Sequence, residues 1–401
     1  MSFESFNFNP SIIAGVRVQG YTIPTPIQLK AIPPIMKGHD VIGLAQTGTG
    51  KTAAFVLPIL QRLLQKPKGR IGALVISPTR ELTVQTCESF SELGYRTGLQ
   101  SIAIYGGVSM DQQVQRLRSG VEIAVACPGR LLDHLWKGTI DLSNLDILVI
   151  DEADRMLDMG FLPDIRSIMK CILKKRQTLL FSATMPDDIL HLVKDILHNP
   201  VKVKIGLTAP ATTVSHALYP VQQHLKTALL VRLLHHIKTE SVLVFTRTKH
   251  RTERVAQHLK KEGFRAISLQ GDLSQHRRQT AIDGFRSGSF KILVATDIAA
   301  RGIDISRISH VINYDMPESI DAYTHRIGRT GRVDKTGDAI TFVTNTDQPM
   351  VNAIEHVLNE TLERQTLEDF DYAVPAPNKG NSRFPRQLQP RTVRKQQEAV
   401  R

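Results

Sequence analysis

Asp40-Val41-Ile42-Gly43-Leu44-Ala45-Gln46-Thr47-Gly48-Thr49-Gly50-Lys51-Thr52, running on into TAAFVLPILQRLL, is the stretch that decides how the rest of the chain reads. An apolar run, a glycine-rich turn and a helical pattern, in that order, predict a strand, a loop and a helix whose N-terminus faces whatever the loop holds. Gly48 and Gly50 let backbone N–H groups curl around phosphate oxygens, with Gln46, Thr47 and Thr49 completing the cradle. Lys51 reaches the β- and γ-phosphates, and the Thr52 hydroxyl is offered to Mg²⁺. Ala45 stands where the strict G-x-x-x-x-G-K-T pattern has its first glycine.

Outward from this loop, short apolar runs repeatedly stop at a polar turn and give way to helical patterning, the signature of βα units around parallel sheets. The first set is DVIGLA (40–45), IGALVIS (71–77), QSIAIYG (100–106), VEIAVAC (121–127), DILVID (146–151) and TLLFSA (178–183). The second is SVLVFTR (241–247), FRAISLQ (264–270), KILVATD (291–297), HVINYD (310–315) and AITFVT (339–344). Runs apolar throughout suit strands covered by helices on both faces. Between the sets, 206–215 is rich in Gly, Pro and Thr and reads as a linker. The expected organisation is an α/β domain over 1–205, a linker over 206–215, a second α/β domain over 216–370 and a disordered basic tail over 371–401.

The chain has 401 residues, a formal net charge of +13, 41% hydrophobic and 22% charged residues. Such a composition supports two packed cores and excludes wholesale disorder. A pI near 9.7 fits a polyanionic partner. From Lys379 to Arg401 seven bases face one acid, Glu398. Cys87, Cys127 and Cys171 are widely spaced and odd in number, which argues for a reducing cytoplasm. The first residues lack a basic and then apolar leader, and no run approaches the roughly 18 apolar residues of a membrane span, so no membrane role is expected.

In open α/β sheets ligands sit beyond the carboxyl ends of the strands. Asp151 and Glu152, in DILVIDEAD, occupy such a place, where paired carboxylates are costly unless they hold a metal or act on water. Asp151 is the expected Mg²⁺ partner and Glu152 the expected orienter or base for the attacking water. Alone, the acidic run also reads as a helix cap.

Gln28, AQTGTGKT, PTREL, DEAD, SAT (182–184), ARGID and HRIGRTGR occur here in the order of the DEAD-box RNA helicases, and the chain resembles a bacterial RhlE-type member from about residue 1 to 365. The resemblance implies two tandem RecA-like domains, ATP and Mg²⁺ as cofactors, and RNA as partner. It also implies local unwinding of short duplexes without translocation, or remodelling of RNA–protein complexes. It matches Gln28 and Tyr21 to the adenine-reading segment. The Gln28 amide suits the N6 and N7 edge of adenine and Tyr21 could stack on the ring.

By resemblance, Pro78, Thr79, Arg80, Gly106, Gly107, Pro128, Gly129 and Arg130 line the RNA backbone path, a kind of contact that positions RNA without reading sequence. Gln275 and Arg278 help hold domain two on the RNA and on domain one, Thr296 and Gly302 touch RNA, and Asp304 touches the ATP ribose. Arg329 and Arg332 are implied as fingers on the γ-phosphate, while His325 and Arg326 couple to Asp154, Ser182 and Thr184. The family usually has threonine at Cys127, alanine at Thr83 and histidine at Gln270. A thiol being a weak donor, phosphate binding at Cys127 is expected to suffer. A DNA helicase on the same core and a catalytically dead RNA scaffold are the competing readings. The second requires loss of Lys51, Glu152 or the arginines, all of which are present. Any ribosomal or RNA-decay partners are not legible.

Overall fold

The structure, a computed structural model, describes residues 2–45, 48–172, 175–205, 214–237, 241–300, 308–330 and 337–376. Gln46, Thr47, Gly302, Asp304 and Arg332, named above, lie outside the described residues, as does 377–401 of the expected tail.

Seven strands form the first sheet: β1 (Val41–Leu44), β2 (Ala73–Ile76), β3 (Ser101–Ile104), β4 (Ile123–Ala126), β5 (Ile147–Asp151), β6 (Gln177–Ser182) and β7 (Val201–Lys204). The second has β8 (Val214–Pro220), β9 (Val242–Phe245), β10 (Ala266–Leu269), β11 (Ile292–Ala295), β12 (His310–Asn313), β13 (Gly337–Val343) and β14 (Glu363–Arg364). Their orders are β3-β4-β2-β5-β6-β1-β7 and β10-β11-β9-β12-β13-β8-β14, with parallel pairing in both.

Successive strand residues feed opposite cores. Val41, Val75, Val149 and Leu179 pack with Phe55 and Phe90 on one face, whereas Ile42, Leu74, Leu148 and Leu180 pack with Leu131 and Met156 on the other. Helices on both sides therefore demand an apolar residue at nearly every strand position. Because every strand runs the same way, all the strand-ending loops of one domain emerge at one edge.

Three strands escape the sequence reading. β7 is an edge strand with only Val203 buried between Lys202 and Lys204, so it carries no continuous apolar run. β14 has two exposed residues. β8 begins inside the expected linker: Val214 and Ser215 pair with Gly337 and Asp338, and Val214 is buried in a core with Tyr323 and Ile327. The expected tail also starts too early. Phe370 and Tyr372 meet edge to face at 4.8 Å and pack on the second domain's core, and His224 Nε2 donates to the Val374 carbonyl at 2.7 Å. Among the described residues no helix is long and apolar enough to cross a membrane.

Candidate functional site

The loop after β1 is closed by its own lysine. Lys51 begins the helix Lys51–Leu63, is buried, and donates from Nζ to the Ala45 carbonyl at 2.8 Å. Gly50 has φ +92°, and a Cβ there would lie 2.6 Å from Gln28 Nε2, so both backbone and space require glycine. Gln28 Oε1 accepts from Thr25 N–H at 2.9 Å and its Nε2 donates to the Gly50 carbonyl at 3.1 Å. One amide hydrogen and one lone pair remain for a ligand. Tyr21 is exposed and stacks on Phe3 with centroids 6.2 Å apart.

At the end of β5 the two carboxylates have different surroundings. Asp151 is buried, and burial together with the adjacent Glu152 raises its pKa to about 7, against the pull of Lys51. Its Oδ1 accepts the Glu152 N–H at 3.0 Å. Glu152 has φ +54° and ψ +52°, a left-handed conformation that costs a non-glycine residue about 1 kcal/mol or more. Its Oε2 accepts from Arg155 Nη1 at 2.5 Å. Asp154 turns the other way: its Oδ2 accepts the N–H groups of Ala183 and Thr184 at 3.0 and 2.8 Å, and its own N–H donates to Ser182 Oγ at 3.2 Å. Burial works to raise the Asp154 pKa, but the Thr184 hydrogen bond and the charge of Lys51 outweigh it and lower it.

A buried acid that stays costly without a cation fits Mg²⁺. Thr52 and Asp151 would supply only two or three oxygens, which matches an ion that keeps several waters and also binds phosphate. Among the described residues there is no all-protein cluster of three or more metal-binding side chains.

Domain two meets this edge across a cleft. Arg155, His325, Arg326 and Arg329 line one hollow together with Phe245 and Asp297. Burial and the neighbouring Arg155 lower the His325 pKa to about 4, Asp154 opposing, so the ring is neutral at physiological pH. Arg326 does not reach Asp154. Its Nε and Nη2 bind Asp297 at 2.6 and 2.7 Å, and Nη1 binds Asn313 Oδ1 and the Asp315 carbonyl at 3.1 and 2.8 Å. Every donating nitrogen has a partner within domain two, and Arg326 meets domain one only in the hollow it shares with Arg155. It braces the segment that presents His325 and Arg329.

A second cleft of about 640 Å³ gathers Thr79, Arg80, Gly106, Gly107, Cys127, Gly129 and Arg130 from domain one with Gln275 and Arg278 from domain two. Pro78 also lines it. Pro128 is buried at the first turn of the helix Pro128–Trp136, and Thr296 follows β11, accepting the Ala300 N–H at 2.9 Å; neither lines this cleft. Arg80 Nη1 donates to Gln275 Oε1 at 3.0 Å, and Arg278 binds Glu81 Oε1 through Nε and Nη2 at 2.8 and 2.6 Å. At Gly107, φ +86°, a Cβ would lie 2.5 Å from Arg80 Nη1. Gln270 Oε1 accepts the Asp272 N–H at 2.6 Å, capping the turn before Gln275.

Two residues were missed. Glu81 reads in sequence as an acid favouring a helix N-terminus, and only folding brings it to Arg278. Arg155 follows DEAD directly, and a basic residue in a helical run carries no signal of burial.

The two departures at Thr83 and Cys127 touch each other. Thr83 Oγ1 donates to the Thr79 carbonyl at 2.9 Å and lies 3.2 Å from Cys127 Sγ, which leaves the thiol to donate to Thr83. Burial raises the Cys127 pKa to about 11. A threonine at 127 would spend its hydroxyl hydrogen on Thr83 in the same way. Cys127→Thr alone should therefore change RNA affinity less than about twofold, while Cys127→Thr with Thr83→Ala should tighten it by about 1 kcal/mol, roughly fivefold. Equal affinities for the two variants would show that the hydroxyl never reaches RNA.

A family model described as DEAD/DEAH box helicase matches residues 25–192, and one described as helicase conserved C-terminal domain matches residues 225–334. The chain is 42% identical over 374 residues to the ATP-dependent RNA helicase DeaD of Buchnera aphidicola, covering 93% of this chain but 62% of that one. It is 41% identical over 375 residues to the DEAD-box ATP-dependent RNA helicase CshA of Bacillus subtilis, covering 93% and 76%. Against Saccharomyces cerevisiae Dbp5 bound to RNA and ADP BeF3 the TM-score is 0.82 at 30% identity, over 91% of this chain and 95% of that one. Against Mss116p bound to ssRNA and AMP-PNP it is 0.81 at 27% identity, over 91% and 78%.

Proposed function

Because this chain belongs to the DEAD/DEAH box helicase family, we propose that it is an RNA-dependent ATPase that couples ATP binding and hydrolysis to local, non-translocating unwinding of short RNA duplexes or remodelling of RNA–protein complexes. The observation that carries this reading is the side-chain sequence Glu152, Arg155, His325, Arg329, which spans from the hydrolytic carboxylate of domain one to an arginine of domain two.

Lys51 and the loop around it hold the phosphates, and Gln28 and Tyr21 hold the adenine. Mg²⁺, when bound through Thr52 and Asp151, would neutralise phosphate charge. Glu152 accepts a proton from the attacking water, and Arg329 with Arg332 meets the charge that develops on the γ-phosphate. The Asp304 role at the ribose and the Gly302 role at RNA stand on the motif alone. RNA lying in the 640 Å³ cleft would touch both domains and favour their closure, so ATP and RNA bind cooperatively by linkage. Closure on one strand bends it and expels its partner, and hydrolysis reopens the clamp.

Comparing ATPase stimulation by RNA and by DNA of equal length tests the reading. Equal stimulation would replace RNA by single-stranded nucleic acid in general. The motif spelling supports an RhlE-type assignment within the family, and the free thiols support a cytoplasmic setting.

The basic segment from Lys379 to Arg401 is proposed as an RNA tether outside the clamp. Each neutralised phosphate of a single strand contributes about 0.7 to the slope of log K against log salt, so partial engagement should give a change of roughly 2. Removing the segment should weaken RNA binding and flatten the salt dependence without lowering turnover at saturating RNA. Parallel salt lines for full-length and truncated protein would make it an inert tail.

A further inference from the structure

Beneath the RNA cleft lies a buried polar network with no role in the reading above. His134 is fully buried and Gln113 nearly so. Gln113 Nε2 donates to the Tyr105 carbonyl at 3.0 Å, which fixes the orientation of the amide, because the reverse would set two oxygens against each other. Gln113 Oε1 then faces Arg130 Nη1 at 3.2 Å and His134 Nε2 at 2.9 Å. An oxygen in that place accepts from both, so Nε2 carries the ring proton, while Nδ1 lies 2.8 Å from Thr139 Oγ1, a hydroxyl that also reaches the His134 carbonyl at 3.2 Å. Arg130 Nη1 also donates to the Val108 carbonyl at 3.1 Å. The Gly106–Gly107 turn is thus held at both shoulders, at Tyr105 by Gln113 and at Val108 by Arg130.

We propose that His134 and Gln113 are positioning residues for RNA, fixing Arg130 and the Gly106–Gly107 turn in the geometry that grips a phosphate. The inference rests on the RNA-clamp reading of this cleft. An arginine ordered before its ligand arrives does not lose that side-chain freedom on binding, so pre-set geometry appears as affinity. Removing His134 Nε2–H leaves Gln113 Oε1 with one donor in a buried site and loosens the amide that holds the turn. The ring suits this task because burial and the Arg130 charge both lower its pKa, keeping a neutral donor beside a cation.

The test uses the full chain and measures the RNA concentration giving half-maximal ATPase, kcat at saturating RNA, ATP affinity without RNA, and the thermal midpoint. His134→Leu should raise the half-saturating RNA concentration about tenfold, the worth of one buried hydrogen bond, with kcat and ATP affinity unchanged. Gln113→Met should act alike should the first variant fold poorly. His134→Gln, whose amide N–H can stand in for Nε2–H, should recover most of the loss. In an Arg130→Ala background His134→Leu should cost clearly less than in the parent, because only the hold of Gln113 on the Tyr105 shoulder of the turn is left to lose. Additive penalties there, or a parallel loss of ATP affinity, would reduce His134 to a stability residue and overturn the inference. A parent protein whose ATPase ignored RNA would overturn the proposed function itself, and this role with it.

Discussion

Glu152→Gln should leave ATP and RNA affinity close to those of the parent while lowering turnover by on the order of a hundred- to ten-thousandfold, the usual contribution of a positioned general base. The substitution is nearly isosteric. Arg155 Nη1, now 2.5 Å from Glu152 Oε2, keeps an amide oxygen to donate to, and the left-handed backbone at 152 is not disturbed. What is lost is the carboxylate proposed to accept a proton from water. Single-turnover ATPase with parallel nucleotide and RNA titrations would check this, and hydrolysis at the parent rate would move the base elsewhere.

Arg329→Ala should lower RNA-stimulated turnover by about a thousandfold, or about 4 kcal/mol of transition-state stabilisation, the scale of an arginine finger. ATP affinity measured without RNA should hardly change, because Arg329 belongs to the domain that carries neither the phosphate loop nor the adenine pocket. The residue is buried and shares its hollow with Arg155 and His325, so its neighbours on the domain-one side are those of Glu152. A loss under about tenfold would place the transition-state charge on another residue. The two variants differ in kind, since one removes chemistry from domain one and the other removes what closure delivers.

The fold was largely legible because parallel strands buried on both faces must be apolar at each position, as in Ala73–Ile76 and Ile123–Ala126. Where that demand lapses, at the edge strand β7 or the two-residue β14, the signal goes with it. In the site, residues fixed by local geometry were readable. A phosphate loop needs its glycines and lysine at set spacings, and an acidic pair ending a buried strand needs a cation or a water. Residues fixed by distant partners were not. Glu81 and Arg278 are 197 positions apart. Arg326 and Arg329 look equivalent in HRIGRTGR, and only packing sends the first to Asp297 and Asn313. Cys127 and Thr83 looked like two unrelated departures until the folded chain set them in contact.

The identical strand order of the two sheets bears on stoichiometry. With β8 taking the place of β1 and β12 that of β5, the chain is one architectural unit used twice. The helix after β8 even opens Lys226-Thr227, as the helix after β1 opens Lys51-Thr52. In the second copy that lysine is spent on the chain itself: buried, it donates to the Tyr314 carbonyl at 3.0 Å and lies 4.0 Å from Asp315. The turn before it, Val221 to Leu225, contains no glycine to wrap a phosphate. On the proposed function, the duplicated scaffold would therefore hold a single nucleotide per chain, one copy keeping the cargo and the other serving as its trigger.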